Sequence, residues 1–178
     1  MVHIKNNMKD NFKRGEIIMG TRGLYGFIKN GERKITYNHF DSYPDGLGES
    51  IVDFIKKTSI EEMKKIFDKI KLVDNKIQPT PEEKEKCIKW TDLGVSHQSE
   101  NDWYCLLRKS QGDLDSYKDG LEYMLDYSDP DIDADQEYIY IIDLDKNILK
   151  FTDCYTKKIK EFSLTKLPKN IIKQMVDE

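Results

Sequence analysis

The chain has 178 residues, with 29 lysines and arginines against 33 aspartates and glutamates, so its formal net charge is −4. This acidic balance argues against binding to a nucleic-acid duplex, because such binding needs a basic surface. No apolar run approaches the roughly 18 residues of a membrane span, so the sequence gives no indication of membrane insertion.

The three cysteines, Cys87, Cys105 and Cys154, are odd in number and none stands in C-x-x-C spacing. This pattern argues against a disulfide framework and against a zinc knuckle. The N-terminus also lacks the apolar stretch of a secretory signal. The sequence therefore predicts a reduced, cytoplasmic protein, and it offers no motif for a metal or a cofactor.

Residues 1–18 show neither helical nor strand periodicity. The codons for residues 13–16 can form a purine tract of ribosome-binding type shortly before the Met19 codon. We therefore expect residues 1–18 to be a translated leader, with a flexible basic tail as the alternative, and residues 19–178 to form a single α+β domain. Because residues 1–18 have no apolar face, we expect their deletion to leave the fold intact.

Two β-hairpins are predicted, one near each end of the chain. Strands at 21–28 and 33–38 flank an Asn-Gly turn, and strands at 137–142 and 148–152 flank a second polar turn. Helical patterns fill the region between 48 and 125. This order predicts an α+β fold in which the two hairpins form one antiparallel sheet with helices inserted between them.

Within that region, capping boxes at Ser59 and Thr80 predict two helix starts. A helix is also expected over 114–125, followed by an acidic loop over 126–137, and a weak helix is expected after residue 168. One core is expected to bury the apolar residues Trp103, Leu106, Ile139 and Ile141.

Residues 37–48 carry the strongest functional signal. His39 is the side chain of this segment that can change charge near neutral pH. Asp41 would project from the same face in extended backbone and could orient the imidazole. Arg22 lies in the partner strand of the same hairpin, and its planar guanidinium suits a phosphate or carboxylate. We expect Arg22, His39, Asp41 and Tyr43 to converge on one concave surface.

Met19-Gly20-Thr21-Arg22, followed after a short hairpin by Asn38-His39-Phe40-Asp41-Ser42-Tyr43-Pro44-Asp45-Gly46, resembles a family of small bacterial and phage proteins. That family begins M-[AG]-T-R and continues [CN]-H-[WF]-D-[GS]-Y-P-x-G. The resemblance implies a phage or prophage setting and a shared set of residues, but no reaction. Many relatives carry Cys where Asn38 stands, which argues against a thiol nucleophile at this position.

Three functions remain open at this point. The first is binding of a small phosphate-bearing or nucleotide ligand, which in a phage setting would sequester a host defence signal. The second is hydrolysis of a phosphodiester or amide bond, with His39 and Asp41 as the catalytic base pair. The third is inhibition of a host protein through exposed aromatic residues. The candidate ligand-binding residues are Thr21, Arg22, Asn38, His39, Asp41, Ser42 and Tyr43.

Overall fold

Both predicted hairpins are present in the computed structural model, which describes residues 20–177. The predictions for the leader and for a start at Met19 lie outside these residues. The strands are β1 (Gly23–Lys29), β2 (Glu32–Asn38), β3 (Lys71–Val73), β4 (Tyr123–Leu125), β5 (Tyr138–Asp143), β6 (Ile148–Asp153) and β7 (Lys158–Ser163). The helices are α1 (Glu49–Lys57), α2 (Ile60–Lys69), α3 (Pro81–Cys87), α4 (Trp103–Leu106), α5 (Asp115–Lys118) and α6 (Ile171–Val176).

The α+β class is confirmed, but the expectation of an antiparallel sheet is wrong. Five strands form one sheet in the order β2-β1-β5-β6-β7, and β1 runs parallel to β5. The inserted region leaves β2 at Asn38, which pairs with Gly23, and returns at Tyr138, which also pairs with Gly23. Because it leaves and returns at the same end of β1, β5 must run in the same direction as β1. The antiparallel strand β7, which the sequence did not predict, extends the sheet beyond β6.

Of two other expectations about the inserted region, one is corrected and one is confirmed. The helix predicted over 114–125 is the short helix α5 followed by the strand β4, which pairs in parallel with β3. Gly120, with φ of +103°, ends the helical path between them. The capping boxes are confirmed, because the side chains of Ser59 and Thr80 each accept a hydrogen bond from the third residue of their helices.

The sheet buries apolar side chains on both of its faces. Trp103 and Leu106 lie in the main core, under the helices. Ile141 packs instead with Leu24 and Ile35 on the opposite face, and Ile139 is packed against this smaller cluster. The expectation of one shared core is therefore wrong, because strand alternation turns these two isoleucines away from the helices.

A buried lysine connects the first hairpin to the helical layer. Lys34 is 8% exposed, and its Nζ donates to the carbonyl oxygens of Phe67 at 2.9 Å and Ile70 at 2.8 Å. These carbonyls lie at the end of α2, where backbone acceptors have no partner within the helix. Lys34 thus holds α2 against the main-core face of the sheet.

Gly26 allows the close approach of β1 and β2. Its φ is +152°, and an added Cβ would lie 2.1 Å from the Lys34 carbonyl oxygen. We expect Gly26→Ala to lower the free energy of unfolding by about 2–4 kcal/mol, measured by urea denaturation. The control is Gly31→Ala, where φ is +73° and no atom lies within 4 Å of the added Cβ. This change should cost only about 1 kcal/mol, and equal losses would contradict the steric explanation.

Candidate functional site

Two adjacent buried tyrosines hold the loops at the starting end of β1 and β5. Tyr25 and Tyr140 are paired positions of these two strands. The Tyr140 hydroxyl donates to the Ser42 carbonyl at 2.9 Å. The Tyr25 hydroxyl donates to the Ser110 carbonyl at 3.1 Å and accepts from the Gly112 amide at 2.8 Å. Burial raises the pKa of both tyrosines well above the usual value, so both hydroxyls keep their protons.

The turn after β2 has a polar interior. Asn38 Nδ2 donates to Ser42 Oγ at 2.9 Å and also to the Phe40 carbonyl. The Ser42 amide donates to the Thr21 carbonyl at 3.2 Å. Asn38, Ser42 and Thr21 are all buried, and Thr21 Oγ1 makes no hydrogen bond within residues 20–177. The structure therefore places these three candidate residues inside the turn.

His39 points away from its expected partner. Its Nδ1 lies 2.8 Å from the Tyr37 hydroxyl, and within the described chain no hydrogen bond joins His39 to Asp41. Asp41 has φ of +52°, so the backbone has left the extended path on which the expected pairing depended. Partial burial, followed by the charges of Arg108 and Arg22, lowers the pKa of His39 below 6.5. The imidazole is therefore neutral at pH 7.

His39 and Arg22 line one open cavity of about 430 Å³, here called the aromatic cavity. Its lining consists of Arg22, Tyr37, His39, Tyr104, Tyr127, Ile132, Asp133, Ala134 and Asp135. Tyr37 and Tyr127 are stacked with ring centroids 5.3 Å apart. The His39 ring packs edge-on against Phe40 at 4.4 Å and against Tyr104 at 6.5 Å.

The expected convergence of four residues is only half correct. Arg22 and His39 share the aromatic cavity, whereas Asp41 and Tyr43 do not line it. The Tyr43 ring lies 6.0 Å from the Tyr138 ring, which packs against the main core. Because Asp41 has left-handed backbone, the side chains that follow it do not continue on the face that carries His39.

Two arginines lie close to the neutral imidazole, and they differ in how their charge is compensated. Arg22 Nη1 forms an ion pair with Asp135 Oδ2 at 2.9 Å. Arg108 stacks over Phe40, with its Cζ 5.1 Å from the ring centroid, and donates to Gln111 Oε1 at 2.8 Å. No carboxylate of residues 20–177 forms an ion pair with Arg108. Arg108 does not line the aromatic cavity, but its guanidinium lies beside it as an unpaired positive charge, with Cζ 6.0 Å from the ring centroid of the lining residue Tyr104.

Sequence reasoning missed Arg108, Tyr104 and Tyr127. The available signal was scarcity, because the chain has only four arginines against 25 lysines and two of the four meet at this site. The sequence could not predict that Arg108, Tyr104 and Tyr127 lie near Arg22 and His39, because this depends on the path by which residues 101–137 return to the sheet.

Comparison with protein-family models, curated proteins and solved structures finds no match to this chain. The function is therefore inferred from the residues of the cavity. Across residues 20–177, no group of three His, Cys, Asp or Glu side chains could hold a metal ion. The same part of the chain contains no helix that is long and apolar enough to cross a membrane.

Loss of the Tyr140 hydroxyl should loosen the turn that carries His39. We expect Tyr140→Phe to lower the free energy of unfolding by about 1–2 kcal/mol, because the buried Ser42 carbonyl loses its donor. Hydrogen exchange should accelerate across residues 40–48. Tyr43→Phe is the control, since the Tyr43 hydroxyl makes no hydrogen bond within the described residues, and it should change neither measurement. Equal effects of the two variants would show that Tyr140 does not hold the turn.

The lowered pKa of His39 predicts a pH-dependent stability. The unfolded chain takes up the proton first as the pH falls through 6.5, so stability should decrease from there towards the folded-state pKa. We expect the melting temperature to fall less in His39→Gln than in the wild type between about pH 7.5 and about pH 5.5. His97→Gln, which removes an exposed histidine outside the cavity, is measured in parallel as the control. If the melting temperature depends on pH equally in all three proteins, the lowered pKa of His39 is contradicted.

Proposed function

We propose that the protein binds a small ligand that carries a phosphate group and a planar ring. The observation that supports this most directly is that Arg22 lines an aromatic cavity with a neutral imidazole, and that Arg108 lies beside this cavity, with its Cζ 6.0 Å from the ring centroid of the lining residue Tyr104. Guanidinium groups bind phosphate oxygens through paired, charge-assisted hydrogen bonds. The cavity volume of about 430 Å³ lies within the range of small-molecule sites.

The residues at the aromatic cavity offer separate positions for the phosphate and for the planar ring of the ligand. The phosphate would lie towards Arg108, whose charge no carboxylate of the described chain compensates. The planar ring would stack on the tyrosine rings, which offer π-faces to any base. His39 would add a hydrogen bond without adding charge. Tyr37 fixes the ring orientation through the bond at Nδ1, which leaves Nε2 as the imidazole nitrogen for the ligand.

The geometry supports binding more strongly than hydrolysis. A neutral imidazole is the form that a general base requires. However, the carboxylate that should orient it is not bonded to it, and Tyr37 occupies the orienting position instead. Sequestration of a host signal by a phage protein remains a proposal that rests on the sequence resemblance alone.

Titration calorimetry with adenosine 5′-monophosphate and adenosine 3′,5′-cyclic monophosphate tests the proposal, because both probes carry a phosphate and a purine. We expect Arg108→Gln to weaken binding by about tenfold or more, since a charge-assisted contact is lost. Arg108→Lys should also bind several-fold more weakly, because the planar fork is lost although the charge is kept.

The control for these variants is Lys56→Gln, which removes a positive charge from the exposed face of α1, where Lys56 pairs with Asp53. Its affinities should equal those of the wild type. Absence of binding to both nucleotides, or unchanged affinity in Arg108→Gln, would contradict the proposed function. Chromatography of the same mixtures separates the alternatives, because a binding protein leaves the nucleotides intact.

A further inference from the structure

The charges on and beside the aromatic cavity balance. Its lining carries the positive charge of Arg22 and the two negative charges of Asp133 and Asp135, and His39 is neutral at pH 7. Arg108 adds a second positive charge beside the lining, with its Cζ 6.0 Å from the Tyr104 ring centroid. Cavities that bind highly charged phosphates collect an excess of cations. Here the two aspartates would repel a ligand in proportion to its negative charge.

Asp135 occupies the position on Arg22 that a ligand oxyanion would otherwise take. Its Oδ2 lies 2.9 Å from Arg22 Nη1. Backbone hydrogen bonds to the sheet fix the chain on both sides of Asp135. The Tyr127 amide donates to the Ile35 carbonyl, and the Glu137 amide donates to the Arg22 carbonyl, both at 2.9 Å.

The segment that contains these two bonds, residues 126–137, is here called the strap. Its Ile132 and Ala134 pack against the apolar cluster on the outer face of the sheet. The packing of these neighbours positions the backbone of Asp133 and Asp135 at the cavity, where both line it. The side chain of Asp135 is 79% exposed, so its carboxylate is open to a ligand as well as to Arg22.

Building on the proposed function, we infer that Asp135 is a specificity-determining residue that makes the cavity favour singly charged phosphodiesters over doubly charged phosphomonoesters. With Arg22 paired to Asp135, Arg108 beside the cavity is the cation of this site that has no ion-pair partner among residues 20–177, and it matches one negative charge. A second charge on the ligand meets no further unpaired cation among the described lining residues and is repelled by both aspartates. The hydroxyl groups of a sugar, in contrast, could donate hydrogen bonds to the same carboxylates.

The dependence on ligand charge gives a quantitative test. The electrostatic energy between Asp135 and the ligand is proportional to the ligand charge. Removal of the Asp135 charge should therefore change the binding free energy of a dianion by twice as much as that of a monoanion. We expect Asp135→Asn to bind adenosine 3′,5′-cyclic monophosphate about threefold to fivefold more tightly. Adenosine 5′-monophosphate should gain the square of that factor, about tenfold to twenty-five-fold.

The measurement is titration calorimetry at about pH 8, where the phosphomonoester is doubly charged because its second pKa is near 6. Asp135→Glu keeps the charge and should keep the wild-type preference for the cyclic nucleotide. Asp131→Asn is the matched control, since Asp131 is exposed on the strap and does not line the cavity. It should change both affinities little and by the same factor.

The outcomes separate this inference from the proposed function. Binding by the wild type with no change in the ratio of the two affinities in Asp135→Asn would overturn the role of Asp135 alone. A wild type that prefers adenosine 5′-monophosphate would do the same. Failure of every variant to bind either nucleotide would overturn both proposals.

Discussion

The parallel pairing of β1 with β5 is the constraint on which the rest of the structure depends. It places Tyr25 beside Tyr140 at the centre of the sheet, with both side chains buried under the helices. Each hydroxyl must find a partner there, because an unpaired buried polar group costs about 1–3 kcal/mol. The partners are backbone groups of two different loops, at Ser42 and at Ser110. The requirement to satisfy two buried hydroxyls therefore fixes both loops at one end of the sheet.

The aromatic cavity is a consequence of this arrangement. The turn after β2 supplies His39 to the lining and the strap supplies two carboxylates, while Phe40 packs against His39 and Arg108 stacks over Phe40. The residues from the turn and the strap lie outside helices and strands, whereas Arg108 begins the short 3₁₀ helix Arg108–Ser110. Their rigidity comes instead from side-chain to backbone bonds and from ring packing, which orient side chains without helical or strand geometry.

Local signals in the sequence predicted part of the local structure, although they gave one helix where α5 and β4 stand and missed β7. The Asn-Gly turn and the alternation of apolar residues predicted the first hairpin, and the capping boxes at Ser59 and Thr80 predicted two helix starts that the structure confirms. The parallel pairing and the position of Arg108 could not be predicted, because they depend on contacts between segments far apart in the chain. The expected His39–Asp41 pair failed for a local reason. A non-glycine residue in left-handed conformation breaks the alternation on which the pairing depended.

The strap also covers the edge of the sheet at β2. Some of its residues bond to this edge, and others line the aromatic cavity. The amide of Ile35 donates to Ser128 Oγ, and its carbonyl accepts from Tyr127, so the outward groups in the middle of β2 are occupied. The opposite edge strand, β7, carries lysines, which discourage pairing with another chain. Without the strap, β2 would offer a β-branched and aromatic template for aggregation. Residues 127–128 therefore cover the edge of the sheet, whereas Asp133 and Asp135 of the same strap line the aromatic cavity.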